Sequence, residues 1–316
     1  MSVAIIAEDF AGMRAQARGL VERAGLPWHF HPVRMTGMWR HVPTRFCPVP
    51  LAHTAGIALP AGTALLVSVG GTGGAIGAAM KRKTGLPLVQ IQNPRMSARH
   101  FDLIVASVHD RMSGGRVVSC RTALHGITPD ILRDARIKWS PRLRKPGKFL
   151  LSVLIGGTNG RFRFGVEEAR DLARTLLGMA STAPVHFALT PSRRTDPAAM
   201  AVLETMLAGQ DAWFWRGEGE NPYQGLLACA DAIAVTRDSV SMVSEAVATE
   251  APVMIIDLPG RSRRIGAFID GLAAEDRVRP LGAEWMLWPV SPLDDTGRAA
   301  EEMTRRLALP GGRDPQ

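Results

Sequence analysis

The chain has 316 residues, 46% of them hydrophobic and 21% charged, and a formal net charge of +9. These proportions exclude whole-chain disorder and suit about two domains of ordinary size. Three widely spaced cysteines, Cys47, Cys120 and Cys229, with no CxxC, exclude a disulfide scaffold and a thiolate zinc site, and suit a reducing compartment.

The chain opens on a short apolar run, Val3–Ala7, without the basic n-region of a signal peptide. An amphipathic helix is expected over 13–24. His29 and His31 alternate on a strand, but their spacing to His41 and His53 is irregular, and no metal site is expected. Residues 54–80 carry no charge and are long enough to cross a bilayer, yet Pro60 and seven glycines interrupt them. A buried strand, Ala64–Val69, running into a glycine-rich turn accounts for them better.

That turn, VGGTGGAIGAAMK (Val69–Lys81), places Gly71 and Gly73 as a dinucleotide fingerprint would, but its third position is Ile76 and no acidic residue follows about twenty positions on. No Walker lysine follows either. The stretch reads as a tight strand–helix turn or an anion site at a helix start. Leu88–Gln92 and Leu103–Ser107 continue the strands. His109 and Asp110 end the second of these, as an oriented base or as a cap.

Residues 81–148 hold fifteen Lys and Arg against four Asp. A basic face attracts an anionic acceptor or membrane surface. Nucleic acid is not expected, since the stretch has few aromatics and no reader motif. Ser140–Lys148 (SPRLRKPGK) has two prolines, a glycine and clustered basic residues, which marks a domain break. A second strand series follows: Phe149–Ile155, His186–Thr190, Ala232–Thr236 and Val253–Asp257. Helices are expected over 166–180, 198–208, 240–249 and 296–308. Strands alternating with helices imply parallel sheets wound on both faces.

Three loops of the second series lie where open parallel sheets bind ligands. LIGGTNGRFRF (Leu154–Phe164) offers Gly156 and Gly157 for close backbone approach and Thr158 as a donor. LTPSRRTDP (Leu189–Pro197) offers Arg193 and Arg194, one of which would fork a phosphate, with Ser192 or Thr195 capping the next helix. In ADAIAVTRDSVSMVSEA a strand runs through Asp238 into a helix starting near Ser239, Val240 and Ser241. Glu245 follows Ser241 by one turn, on the same face. This suits a nucleotide, with diphosphate at the helix start and ribose on the carboxylate. It equally suits a capping role for Ser241 and Glu245.

The blocks QIQNPR, FDLIVASVHD, ALHGITP, LIGG, SRRT and NPYQGLLACADAIAVTRDSVSMVSEA together resemble the mitochondrial-fission family named for the plant elongated-mitochondria factor, which has many bacterial members. The resemblance covers nearly the whole chain. The last block also resembles the nucleotide-sugar site of GT-B glycosyltransferases, especially the peptidoglycan glucosaminyltransferases. The resemblance implies that Glu245 holds ribose, that Ser239, Val240 and Ser241 lie near the diphosphate, and that Gly156, Gly157 and Thr158 lie near the phosphate or leaving group. Arg216–Gly219 would approach the base. In the family's opening DGRxGxxxQxxGL block, Gly12, Gln16, Gly19 and Leu20 match, while Glu8, Asp9 and Phe10 replace DGR.

The combined expectation is an α/β, GT-B-like protein of two doubly wound Rossmann-like domains facing a central cleft. Residues 1–145 form the basic acceptor side and 146–295 the nucleotide-sugar side. Residues 296–316 form a helix and tail returning to the amino-terminal domain. The expected function is nucleotide-sugar-dependent glycosyl transfer to a cell-envelope acceptor. A UDP-type sugar is the substrate, no cofactor is permanently bound, and His109, Asp110 or Glu8 is the base. The alternatives are a nucleotide-sugar 2-epimerase and a non-catalytic recruiter of a dynamin-like partner, as the resemblance to the plant factor implies. The expected location is the cytoplasm, at most peripheral to the inner membrane.

Overall fold

The computed structural model describes residues Met1–Leu309; residues 310–316, which include the expected tail, lie outside it. Among the described residues the chain forms two six-stranded parallel sheets, each in its own compact unit.

The first unit comprises Met1–Gly126 and the chain from Asp294 onward. It runs β1 (Ser2–Ala7), α1 (Ala11–Arg23), β2 (Trp28–Pro32), β3 (Thr63–Val69), α2 (Gly70–Thr84), β4 (Leu88–Ile91), β5 (Leu103–Ser107) and β6 (Val117–Cys120). The sheet order is β2-β1-β3-β4-β5-β6. The central strands are unbroken apolar runs because both sheet faces are covered. Val3, Ile5, Leu65 and Val67 pack with Leu20 of α1 on one face. Ala4, Ile6 and Leu66 pack with Ile76 of α2 on the other.

The glycine-rich stretch is mostly helix rather than loop. A Cβ on Gly73 would lie 2.6 Å from the Ile6 carbonyl oxygen, and one on Gly77 would lie 2.9 Å from the Ser68 Cβ. These glycines let α2 lie close on β1 and β3, so the tight-turn reading is corrected to close helix–strand packing.

The second unit, Ile127–Leu293, runs α3 (Pro129–Leu143), β7 (Phe149–Ile155), α4 (Val166–Thr182), β8 (Val185–Pro191), α5 (Pro197–Met206), β9 (Ala212–Phe214), α6 (Tyr223–Cys229), β10 (Ala232–Thr236), α7 (Val240–Val247), β11 (Val253–Ile256), α8 (Arg263–Ala274) and β12 (Val278–Pro280). Its sheet order is β12-β11-β10-β7-β8-β9. The last helix, α9 (Asp295–Arg306), belongs to the first unit. There the buried Asp295 carboxylate accepts from the Arg121 backbone N–H, and Arg23 pairs with Asp294 at 2.7 Å.

The division between the units falls at Gly126, not at Ser140–Lys148. The reason is the packing of α3. Trp139 lies against Gly225 of α6 so closely that a Cβ there would sit 2.3 Å from the indole Cγ. The Arg136 Nε donates to the Ala228 carbonyl at 2.7 Å. Arg144 reaches the Cys229 carbonyl and Asp231, and both Lys145 and Lys148 pair with Asp211.

The basic run is therefore divided: 81–126 lies in the first unit and 127–148 in the second, where acids of that unit meet much of its charge. Burial pushes the Asp211 carboxyl up, but hydrogen bonds from Lys145 and Lys148 outweigh it and bring it down to about 2. A depressed carboxyl contributes stability above its unfolded value and loses it as pH falls through the folded one. Wild-type stability should therefore drop between about pH 4 and pH 2 more steeply than that of Asp211→Asn, as measured by urea melts across that range.

Candidate functional site

The candidate residues of the second unit gather at the carboxyl-terminal ends of β7, β8 and β10, which are neighbours in the sheet. Thr236 at the end of β10 accepts the Gly156 N–H at 2.7 Å. The Asp238 carboxylate, fully buried, accepts the Gly157 N–H at 3.3 Å and pairs with Arg194 at 2.9 Å. Arg194 also donates to the Gly157 carbonyl at 3.2 Å. The two glycines thus bring three loops into contact. A Cβ on Gly156 would lie 2.1 Å from the Asp238 Oδ1, and one on Gly157 would lie 2.1 Å from the Arg194 carbonyl oxygen. Their N–H groups serve this joint rather than pointing at an open anion site.

Ser192 and Thr195 do not cap the next helix. The Thr195 hydroxyl binds the Ser192 N–H and the Ile155 and Gly156 carbonyls, while Asp196 caps α5 through the Ala198 N–H. Thr158 exchanges hydrogen bonds with the backbone of Phe164 and closes its own loop. Arg193 is exposed and has no ion-pair partner among the described residues, so of the adjacent arginines it is the one left for a ligand. Arg216 pairs with Glu204 at 3.1 Å.

Helix α7 starts where the sequence places it. Ser239 caps it by accepting the Met242 N–H at 3.4 Å, which leaves Ser241 and Glu245 out of the capping box. Val240 and Ser241 form the first turn, whose N–H groups and dipole favour an anion. One turn on, Glu245 Oε2 accepts from the Tyr223 hydroxyl at 2.5 Å, while Oε1 makes no hydrogen bond among the described residues. Burial pushes the Glu245 carboxyl above the usual carboxylate range, and the Tyr223 hydrogen bond opposes this. Tyr223, in the first turn of α6, is the single tyrosine of the chain. Tyr223 itself has no role in the sequence reading, where residues 221–231 are the helix entering β10; a lone tyrosine opening that helix was the available signal.

The base candidates lie in the first unit and are not brought together. Glu8 follows β1 and shares a surface pocket of about 600 Å³ with Arg34, Trp39 and Thr72. His109 and Asp110 form a short 3-10 turn after β5, two strands beyond β1's neighbour β3. Among the described residues no group of three or more His, Cys, Asp or Glu is placed to hold a metal ion. Nor is any helix there long and apolar enough to cross a membrane.

A family model described as mitochondrial fission ELM1 matches residues 11–307. The mitochondrial fission protein ELM1 of Arabidopsis thaliana is 31% identical over 251 residues, covering 71% of this chain and 58% of that protein. The chain thus spans little more than half the length of that relative. Among solved structures, the UDP-GlcNAc 2-epimerase of Methanocaldococcus jannaschii superposes with a TM-score of 0.55 at 10% identity, over 98% of this chain and 99% of that one. MurG of Acinetobacter baumannii gives 0.54 at 13% identity, over 98% and 92%. These likenesses establish a GT-B-type α/β fold, as the sequence analysis expected.

Proposed function

Since this chain belongs to the mitochondrial fission ELM1 family and carries the GT-B-type fold, we propose that its second unit binds a nucleotide sugar and transfers the sugar to a cell-envelope acceptor. The observation that carries this reading is Glu245, one turn beyond the start of α7, with one carboxylate oxygen fixed by Tyr223 and the other without a partner among the described residues. A carboxylate held this way accepts vicinal hydroxyls, as a ribose offers. The first turn of α7 and Arg193 would stabilise the departing diphosphate without a metal. A UDP-type donor is the substrate in this reading, and His109, Asp110 or Glu8 supplies the base.

The test is calorimetry and thermal shift of the whole protein against UDP, GDP, CMP, ADP and their sugars. One nucleotide should bind selectively and raise the melting temperature, since a ligand at a hundred times its Kd adds about 2.7 kcal/mol of stability. Glu245→Ala should weaken that nucleotide about a hundredfold, from two lost charge-assisted hydrogen bonds. Tyr223→Phe should weaken it about tenfold by releasing the carboxylate. Release of UDP by elimination, with the sugar inverted at C2 and no acceptor present, would favour a 2-epimerase instead. A second reading is favoured by the identity to the Arabidopsis fission protein: a non-catalytic recruiter of a membrane-remodelling partner. It requires Glu245→Ala to retain function in cells, and loss of function in a folded Glu245→Ala protein would overturn it.

A further inference from the structure

The charge of the chain is concentrated in one unit. Residues 1–126 sum to +9, whereas 127–293 sum to +1. No Asp or Glu occurs between Glu22 and Asp102, a stretch holding nine Lys and Arg. Within it, the chain leaves the sheet after β2 and makes a long excursion before β3, built of three 3-10 turns: Gly37–His41, Thr44–Phe46 and Pro50–His53.

The excursion is anchored on its inner side. Val33, Met35 and Cys47 are buried in the core with Ile76. The Thr36 N–H donates to the His53 carbonyl at 2.8 Å, and Thr44 lies 3.4 Å from Thr72 of α2, hydroxyl to hydroxyl. Its exposed residues are apolar and cationic together. Met38, Phe46 and Val49 are 71%, 61% and 56% exposed. Arg34, Arg40 and Arg45 are also exposed, and among the described residues none pairs with a carboxylate. Arg40 donates to His41 at 2.7 Å, and Arg45 stacks over Phe46 at 4.6 Å from the ring centre. Arg34 and Arg40 line the pocket that Glu8 enters, its one acidic group.

Large apolar side chains held outward by an anchored backbone, interleaved with unpaired arginines, match the boundary of an anionic bilayer. There the apolar groups enter the acyl region and the guanidiniums meet lipid phosphates. We propose that the 34–53 excursion of the first unit docks the protein on membranes rich in anionic lipid. Met38, Phe46 and Val49 insert, and Arg34, Arg40 and Arg45 bind headgroup phosphates. This places the membrane contact outside the 81–148 run and does not depend on a nucleotide-sugar site.

The test is flotation of the full chain with vesicles of phosphatidylglycerol and phosphatidylcholine, against vesicles of phosphatidylcholine alone. Binding should be at least about tenfold tighter on the anionic vesicles and should weaken as salt rises. Met38→Ser/Phe46→Ser/Val49→Ser should reduce it about tenfold, and Arg40→Glu/Arg45→Glu by more, at about fivefold per charge neutralised. Both variants should keep the wild-type melting temperature. Should the triple variant unfold, Met38→Ser alone carries the apolar test. Arg82→Glu/Lys83→Glu, in the last turn of α2, should change binding less than about threefold. Failure to float, equal binding to neutral vesicles, or undiminished binding of the excursion variants would overturn the proposal. So would a larger loss from Arg82→Glu/Lys83→Glu, or a water-soluble protein partner that occupies the excursion in place of the bilayer.

Discussion

Arg277→Met should lower the melting temperature by roughly 10 °C, although Arg277 touches none of the candidate site residues. Arg277 is buried just before β12, and no carboxylate pairs with it among the described residues. Its guanidinium instead donates to three carbonyls at and beyond the end of α7: Val247 at 2.9 Å, Thr249 at 2.7 Å and Ala251 at 3.1 Å. A helix end leaves such carbonyls without intrahelical partners and carries the negative end of the dipole. Burial draws the Arg277 guanidinium down to about 10, which still leaves it charged at neutral pH. Methionine would fill much of the volume but strand the Thr249 and Ala251 oxygens, while Val247 keeps the Leu293 N–H at 2.8 Å; at about 1–3 kcal/mol each, the loss is about 4 kcal/mol. Arg277→Lys keeps the charge but not the fork and should recover about half. Because α7 carries Glu245, nucleotide affinity should fall with stability. A melting temperature within about 2 °C of wild type for the methionine variant would show that these bonds are dispensable.

Gly157→Ala should be the most damaging single-methyl change at the site. Its Cβ would lie 2.1 Å from the Arg194 carbonyl oxygen and 2.3 Å from that carbonyl carbon, both backbone atoms that no rotamer can move. The turn after β8 would have to leave the end of β7, breaking the Arg194–Gly157 bond and disturbing the Asp238 pair. Overpacking of this kind costs about 3 kcal/mol. Nucleotide binding should be lost as well, since Arg193 and the start of α7 are positioned through the same joint. Gly160→Ala, in the same loop, has open space around its Cβ and should leave both properties unchanged. Urea melts and calorimetry on the two variants check this directly. An alanine at 157 that binds as wild type does would mean the joint is pliable.

The strands were legible because a parallel strand buried on both faces must be apolar throughout. The runs at Val3–Ala7, Phe149–Ile155 and Ala232–Thr236 all became central strands. The short strands Val117–Cys120, Ala212–Phe214 and Val278–Pro280 were missed: they are edge or near-edge elements of three or four residues, too short for a periodic signal. The start of α7 was legible from Asp238-Ser239, since a cap is a local device. Glu245 stood out by its spacing from Ser241. Its partner Tyr223 did not, because that hydrogen bond spans 22 residues and two helices.

The sequence alone thus determines what local chemistry determines: two series of buried strands, their turns, one helix cap and the excess of positive charge before residue 149. These depend on interactions between residues a few positions apart, so they can be read in order along the chain. Tertiary structure decides every feature that rests on a distant partner. Trp139 assigns α3 to the second unit by packing on Gly225. Asp238 engages Arg194 and leaves Arg193 exposed. Asp211 pairs with both Lys145 and Lys148, which the sequence counts as free charge. In each case burial, close contact or pairing sets the outcome, and these become defined only when remote segments of the chain meet.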